Sequence, residues 1–235
     1  MNTIFKIFLL LFLTSNIYGL TLGNIRDESR ALLHDVSTDT AKQRWSNTRF
    51  NFVINQGQRE MCDVVWSVHN STTIALLKDT TYYTLPDDLY AIERVVYNGV
   101  TVLTEKTITS FDRDDTSWLA TSTGTPENFY VSVDNKKIGF YPVPDNSALA
   151  NIYIDFIKIP SDLSSDSDIP FDNVFKYKSY HHLLIYYTVA MINLEESNQT
   201  WKDFYYLYDL GLKRMAEKIG IYPSGYTPTL KFQRE

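Results

Sequence analysis

The sequence holds one cysteine, Cys62, in 235 residues. A lone cysteine excludes an intramolecular disulfide framework and a thiolate metal cluster. Cations are also thinly spread: 22 Lys and Arg are scattered, never more than two together, against 28 Asp and Glu, for a net charge of −6. No basic stripe of the kind that grips nucleic acid runs along the chain. The compact apolar run Ile7 to Leu13 is too short to span a bilayer as a permanent helix. Missing too are a glycine-rich phosphate loop, a Gly-x-Ser-x-Gly elbow and a Cys/His pairing in a recognisable context. What is present is ordinary globular composition, 44% hydrophobic and 21% charged, with an unusual 17 Tyr beside 13 Phe. Tyrosine joins an apolar ring to a polar tip, so a surplus suits broad, partly wet protein interfaces as well as strands and helix faces.

Residues 1–19 carry the outline of a secretory signal peptide: a weakly positive start, the run IFLLLFL, then smaller residues ending at Gly19. An apolar arm that packs on a partner is the other reading of the same residues. Thr21 then caps a first helix, whose apolar positions Leu22, Ile25, Leu32 and Leu33 keep a 3.6-residue period. Ser46 caps a second, with Trp45 and Phe50 at the spacing of a hydrophobic staple. Gly57 on its apolar face marks either the close passage of another backbone or a tolerated weak point.

From Thr72 the period shifts towards 2. Strands are expected over Thr72 to Leu77, Thr80 to Leu85, Tyr90 to Tyr97 and Val100 to Glu105, the last two flanking an Asn98-Gly99 hairpin turn. Phe111 to Asp115 reads as an acidic loop, with Trp118 an anchor after it. The clearest hairpin is GTPENFYVSVDNKKIGFYPVP, residues 124–144: Phe129 to Val133 goes out, Asp134-Asn135 turns, and Lys136 to Tyr141 returns. Pro142 and Pro144 stop it, because proline has no N–H for a ladder. Asn151 to Ile159 is the last strand expected.

Residues 161–170, opening SDLSSDSD, read as an acidic, solvated linker. A third helix is expected from Val174 to Glu195, with Phe175, Leu183 and Leu184 on one side and apolar residues nearly all round. A fourth, capped by Ser197 or Asn198, carries the stripe Trp201, Phe204, Tyr205, Tyr208, Leu212, Met215 and Ile219 and ends at Gly220. Residues 221–235, with Pro223, Gly225 and Pro228 between aromatics, read as an extended arm. The fold class is therefore α+β: an antiparallel β-hairpin region, 71–160, inserted between two helix pairs, 20–70 and 171–220, that form one bundle. The expected core comprises Trp45, Phe50, Leu85, Val95, Trp118, Val131, Phe140, Ile154, Leu184, Trp201 and Leu212. Tyr222, Tyr226 and Phe232 of the arm are the candidate partner contacts, because rigid rings bury much area for little lost entropy.

Candidate chemistry is sparse. His181-His182 are adjacent on a helix, so they point about 100° apart, and no i, i+4 partner completes a metal site. Asp112, Asp114 and Asp115, like Asp162, Asp166 and Asp168, lack the glycine turn and distal bidentate carboxylate of a calcium loop. Asn70-Ser71-Thr72 and Asn198-Gln199-Thr200 match glycosylation sequons, which short patterns do by chance. No catalytic, metal or cofactor-binding residue is assigned.

The order of several pieces resembles the head-to-tail adaptor proteins of short-tailed bacteriophages. These are Arg44-Trp45-Ser46, then Phe50 with Asn55-x-x-Gln58-Arg59, then Tyr83-x-Leu85-Pro86-x-Asp88 and Arg94-Val95-x-Tyr97-x-Gly99. Trp118, Gly124-x-Pro126-x-x-Phe129-Tyr130 and Ile138-x-Phe140-Tyr141-Pro142-x-Pro144 complete the set. The resemblance covers roughly Leu22 to Ile219 and implies a virion protein at the head-tail junction, without catalytic activity. It further implies a homo-oligomeric ring, usually of twelve subunits, below the portal protein. A tail or nozzle protein would lie beyond it, and double-stranded DNA would pass through the lumen without sequence-specific binding. The competing classes are a secreted β-rich binding module, exported by its signal, and a glycosidase with two facing carboxylates.

Overall fold

The computed structural model describes residues 19–37, 43–65, 68–114, 118, 123–132, 136–145 and 148–219. The signal-like segment up to residue 18, the Asp134-Asn135 turn, Gly220 and the arm with Tyr222, Tyr226 and Phe232 lie outside the described residues. In chain order the elements are α1 (Leu22–Leu32), α2 (Asn47–Val65), β1 (His69–Ala75), β2 (Tyr82–Thr84), β3 (Leu89–Tyr97), β4 (Thr101–Val102) and β5 (Thr104–Glu105). There follow α3 (Ile108–Asp114), β6 (Asn128–Ser132), β7 (Lys137–Tyr141), β8 (Asn151–Lys158), α4 (His182–Glu195) and α5 (Trp201–Ile219). Two compact units result, one holding the helices before residue 69 and after 159, the other residues 69–159.

In the helical unit, local signals place the helix starts. The Thr21 hydroxyl accepts from Asn24 N–H at 3.3 Å while Asn24 Oδ1 accepts from Thr21 N–H, a reciprocal capping box. Ser46 Oγ likewise accepts from Arg49 N–H at 3.1 Å at the head of α2. One hydrophobic cluster draws on α1, α2, α4 and α5 together, with Leu22, Phe50, Met61, Leu184 and Leu212 among its buried members. Helix α4 is its centre: between Leu183 and Ala190 only Tyr186 keeps partial exposure. Thr188, buried with it, is satisfied within the helix: its Oγ1 donates to Leu184 O.

The β unit forms two four-stranded sheets, ordered β1-β8-β3-β4 and β2-β7-β6-β5. The Asn98-Gly99 turn is present as expected: both residues have positive φ, 51° and 70°, and Val100 N–H donates to Tyr97 O. Phe129 pairs with Phe140 and Val131 with Ile138 on one face of the β6-β7 hairpin. On the other face Tyr130 lies over Gly139, where an added Cβ would sit 2.2 Å from the ring. Only glycine fits there.

The structure departs from the sequence-based expectation in several places. The Val100 to Glu105 strand is two short strands: β4 pairs antiparallel with β3, whereas β5 pairs parallel with β6. Buried Leu103 stands between them, its N–H donating to Val95 O, and carries the chain from one sheet to the other. Ile108 to Asp114 is a short helix where an acidic loop was expected at Phe111 to Asp115. Thr107 Oγ1 accepts from Ser110 N–H at its start, and Phe111 is buried beneath Trp118 at 4.5 Å. A single buried anchor leaves no periodic signal in seven residues. The third helix begins at His182 rather than Val174. Phe171, Asp172 and Asn173 all have positive φ, and Phe175–Tyr180 is a 3-10 turn that leaves Phe175 75% exposed instead of lining the bundle.

Candidate interaction site

Residues 161–171 bring the chain back from the β unit into the helices, and most of their side chains are exposed. The backbone of this strap is nonetheless held from two directions. Asn55 of α2 donates through Nδ2 to Leu163 O at 3.0 Å and accepts from Leu163 N–H at 2.8 Å, so one amide satisfies both groups of a buried residue. One turn on, Gln58 donates to Ser161 O and accepts from Phe171 N–H at 2.7 Å, clasping the two ends of the strap. Arg59 adds an ion pair with Asp162. From α1, Leu22 N–H donates to Asp168 O and Gly23 N–H to Asp166 O, so the strap's carbonyls satisfy two of the helix's open donors. Arg26 pairs with Asp166 at 2.9 Å. The Asn55-x-x-Gln58-Arg59 motif is therefore a backbone clamp.

A second buried network fixes the entry to α2. The Arg30 guanidinium pairs with Asp35, donates to Trp45 O at 2.7 Å and Asn47 Oδ1 at 2.8 Å, and lies 4.4 Å above the Phe50 ring. Asp35 accepts in turn from Arg44 N–H at 2.6 Å. Such a pair repays the cost of burial only because its remaining donors and acceptors are also met. Trp45 Nε1 and Arg44 both reach Glu196, at 3.2 and 2.7 Å, tying the Arg44-Trp45-Ser46 motif to the end of α4.

Deeper in the bundle, Gly57 is required by a ring and not by a backbone: a Cβ there would lie 2.5 Å from Tyr187 Cδ1. Beside it Glu60 accepts from Tyr208 OH at 3.5 Å, and burial pushes the Glu60 carboxyl up despite hydrogen bonds from Tyr187 and Tyr208. His181 is fully buried with Nδ1 on Leu20 O at 3.1 Å, and burial lowers its pKa to about 4. Burial lowers the partly exposed His182 as well. Among the described residues, no group of three or more His, Cys, Asp or Glu is placed to hold a metal ion. Nor does any helix among them have the length and apolarity to cross a membrane.

In the β unit, Leu85, Val95, Phe140 and Ile154 are buried in one cluster, with Val131 half-buried against it. Trp118 is buried in a separate aromatic group with Phe111 and Tyr130, and its Nε1 donates to Asp112. On the helical side Phe50, Leu184 and Leu212 are buried, while Trp45 and Trp201 are half-buried. The tyrosine surplus divides in two. Tyr130, Tyr177, Tyr187 and Tyr208 are fully buried, whereas Tyr90, Tyr153 and Tyr206 face solvent along with Phe52, Val100 and Val102. Sequence reasoning singled out Asn55-x-x-Gln58-Arg59 only as a piece of the family resemblance and missed that its two amides clamp the strap.

The described residues form a two-unit scaffold, one unit helical and one of two sheets, that presents exposed aromatic residues at its surface. Its kind follows from comparison: residues 20–224 match the model of the SU10 adaptor protein family. The chain belongs to that family, and is thereby a structural bacteriophage protein of the head-to-tail adaptor type. No curated protein matches it.

Proposed function

We propose that the chain assembles as a ring, of twelve subunits as the resemblance implies, beneath the portal. There it would join the capsid to the tail and form part of the channel through which DNA leaves. The observation that carries this reading is the extent of the family match, which runs through both compact units. The net charge of −6 fits it, because a ring repeats any lumenal charge and a negative wall repels the DNA backbone. In this reading 20–70 and 171–220 form the helical body, 71–160 the β part, 161–170 the connection between them, and 221–235 an arm. Tyr222, Tyr226 and Phe232 anchor that arm on a neighbouring subunit or the portal. Its prolines restrict the free segment and so reduce the entropy lost on docking.

Negative-stain microscopy of the purified protein, alone and mixed with isolated portal, tests the proposal. The expected outcome is rings seated on one face of the portal, with monomers or small assemblies in its absence. Protein that leaves the portal bare at micromolar concentration overturns it.

A further inference from the structure

Among the described residues, strand β1 ends its sheet, paired with β8 on one side only. It is seven residues long, whereas the other edge strands β2, β4 and β5 have three, two and two. Exposed edges are usually blunted by shortness, proline or charge, because unpaired N–H and C=O groups template another strand. The sequence HNSTTIA contains no proline, lysine, arginine or carboxylate.

The pairing shows which groups are open. Leu76 N–H donates to Ala150 O, in register with Ile74 opposite Ile152 and Thr72 opposite Ile154. Hydrogen bonding alternates along an antiparallel strand, so the even residues point their backbone groups at β8 and Ser71, Thr73 and Ala75 point theirs away. Ser71 N–H meets only the side chain of Asn70, at 2.9 Å, and Thr73 and Ala75 have no partner on that side among the described residues. The core is open at the same place. Ile74 and Thr72 lie in register with the buried Ile152 and Ile154, yet both remain only half-buried.

The chain carries a segment with the complementary pattern. After Pro228, Thr229 to Glu235 runs seven residues without proline or glycine and alternates: Leu230 and Phe232 fall on one face, with Arg234 at its end, and Thr229, Lys231, Gln233 and Glu235 on the other. We propose that residues 229–235 of one copy add to the open edge of β1 in a neighbouring copy. Their backbone meets Ser71, Thr73 and Ala75, and Leu230 and Phe232 extend the row of Thr72 and Ile74. Main-chain bonds supply the affinity and the two apolar side chains fix the register. The proposal rests on the oligomeric reading above and names the surface that receives the arm.

The test uses chain lacking residues 229–235, a synthetic peptide of residues 227–235, and residue-resolved hydrogen exchange. The peptide added to the truncated protein should slow exchange of the Ser71, Thr73 and Ala75 amides at least tenfold. Thr73→Pro, which removes an outward N–H on an edge strand that tolerates proline, should abolish the effect. In full-length protein the same protection should grow with concentration. A peptide that leaves these amides unprotected at millimolar concentration overturns the pairing, whether or not rings form on the portal. Protection already complete in the monomer places the segment on its own subunit and overturns the exchange between copies. Concentration-dependent protection that survives truncation shows β1 pairing with another strand and overturns it equally. Bare portal with peptide protection intact would instead count against the ring reading alone.

Discussion

Replacing Asn55 by alanine removes both halves of the clamp on Leu163. The groups left behind, Leu163 N–H and C=O, belong to a buried residue. Each orphaned buried backbone group costs about 1–3 kcal/mol, so the loss should be about 2–5 kcal/mol once partial relaxation of the strap is allowed. Urea unfolding followed by helical circular dichroism reads it, as a lower midpoint with unchanged slope. Asn55→Asp sharpens the test. A carboxylate still accepts from Leu163 N–H but faces Leu163 O with a lone pair instead of a donor, so this variant should be at least as damaged near pH 7. Protonation restores the donor. The aspartate's folded-state pKa would be raised, so its penalty should shrink as pH falls through that value. Exposed Gln56→Ala, the adjacent control, should stay within about 0.5 kcal/mol. A loss below about 1 kcal/mol for Asn55→Ala, or Asn55→Asp as stable as wild type at pH 7, would refute the clamp.

Phe140→Ala should destabilise the β unit by roughly 3–5 kcal/mol, measured by denaturant unfolding, because Phe140 is fully buried against Phe129 and Tyr83. Gly57→Ala should cost about 1–3 kcal/mol through its collision with the Tyr187 ring, and a crystal structure of the variant should show that ring displaced. His181 is buried neutral with a folded pKa of about 4 against an ordinary 6.5. Its contribution is complete above pH 6.5 and is lost as pH falls towards 4, a change of roughly 3 kcal/mol. His181→Gln should flatten the pH profile of stability over that window, leaving the contribution of His182, which has the same sign. Deleting residues 221–235 should leave the melting temperature within a degree or two but abolish binding to the portal in a sedimentation assay. Normal assembly of the truncated chain would remove the arm from the interface.

Features set by a residue and its near neighbours were legible in the sequence. Thr21 and Ser46 cap their helices because a cap needs only a hydroxyl three residues before an open N–H. Asn98-Gly99 turns β3 into β4 because both positions need positive φ, and α5 keeps its apolar stripe because 3.6 residues close one turn. The class of fold and the family resemblance rest on such signals in order. What tertiary structure alone decided are choices among distant partners. Asn55 and Gln58 look like ordinary polar positions on α2 until the chain returns more than a hundred residues later with Leu163 and Phe171. Gly57 says that something passes close, but only packing makes it Tyr187. Phe175 sits on the helical period of α4, yet the left-handed residues 171–173 and the clamp on Phe171 put it on a 3-10 turn facing solvent. The division of Val100 to Glu105 between two sheets has the same origin. A strand's propensity is local, but its partner is set by which edge the folded chain brings within hydrogen-bonding distance.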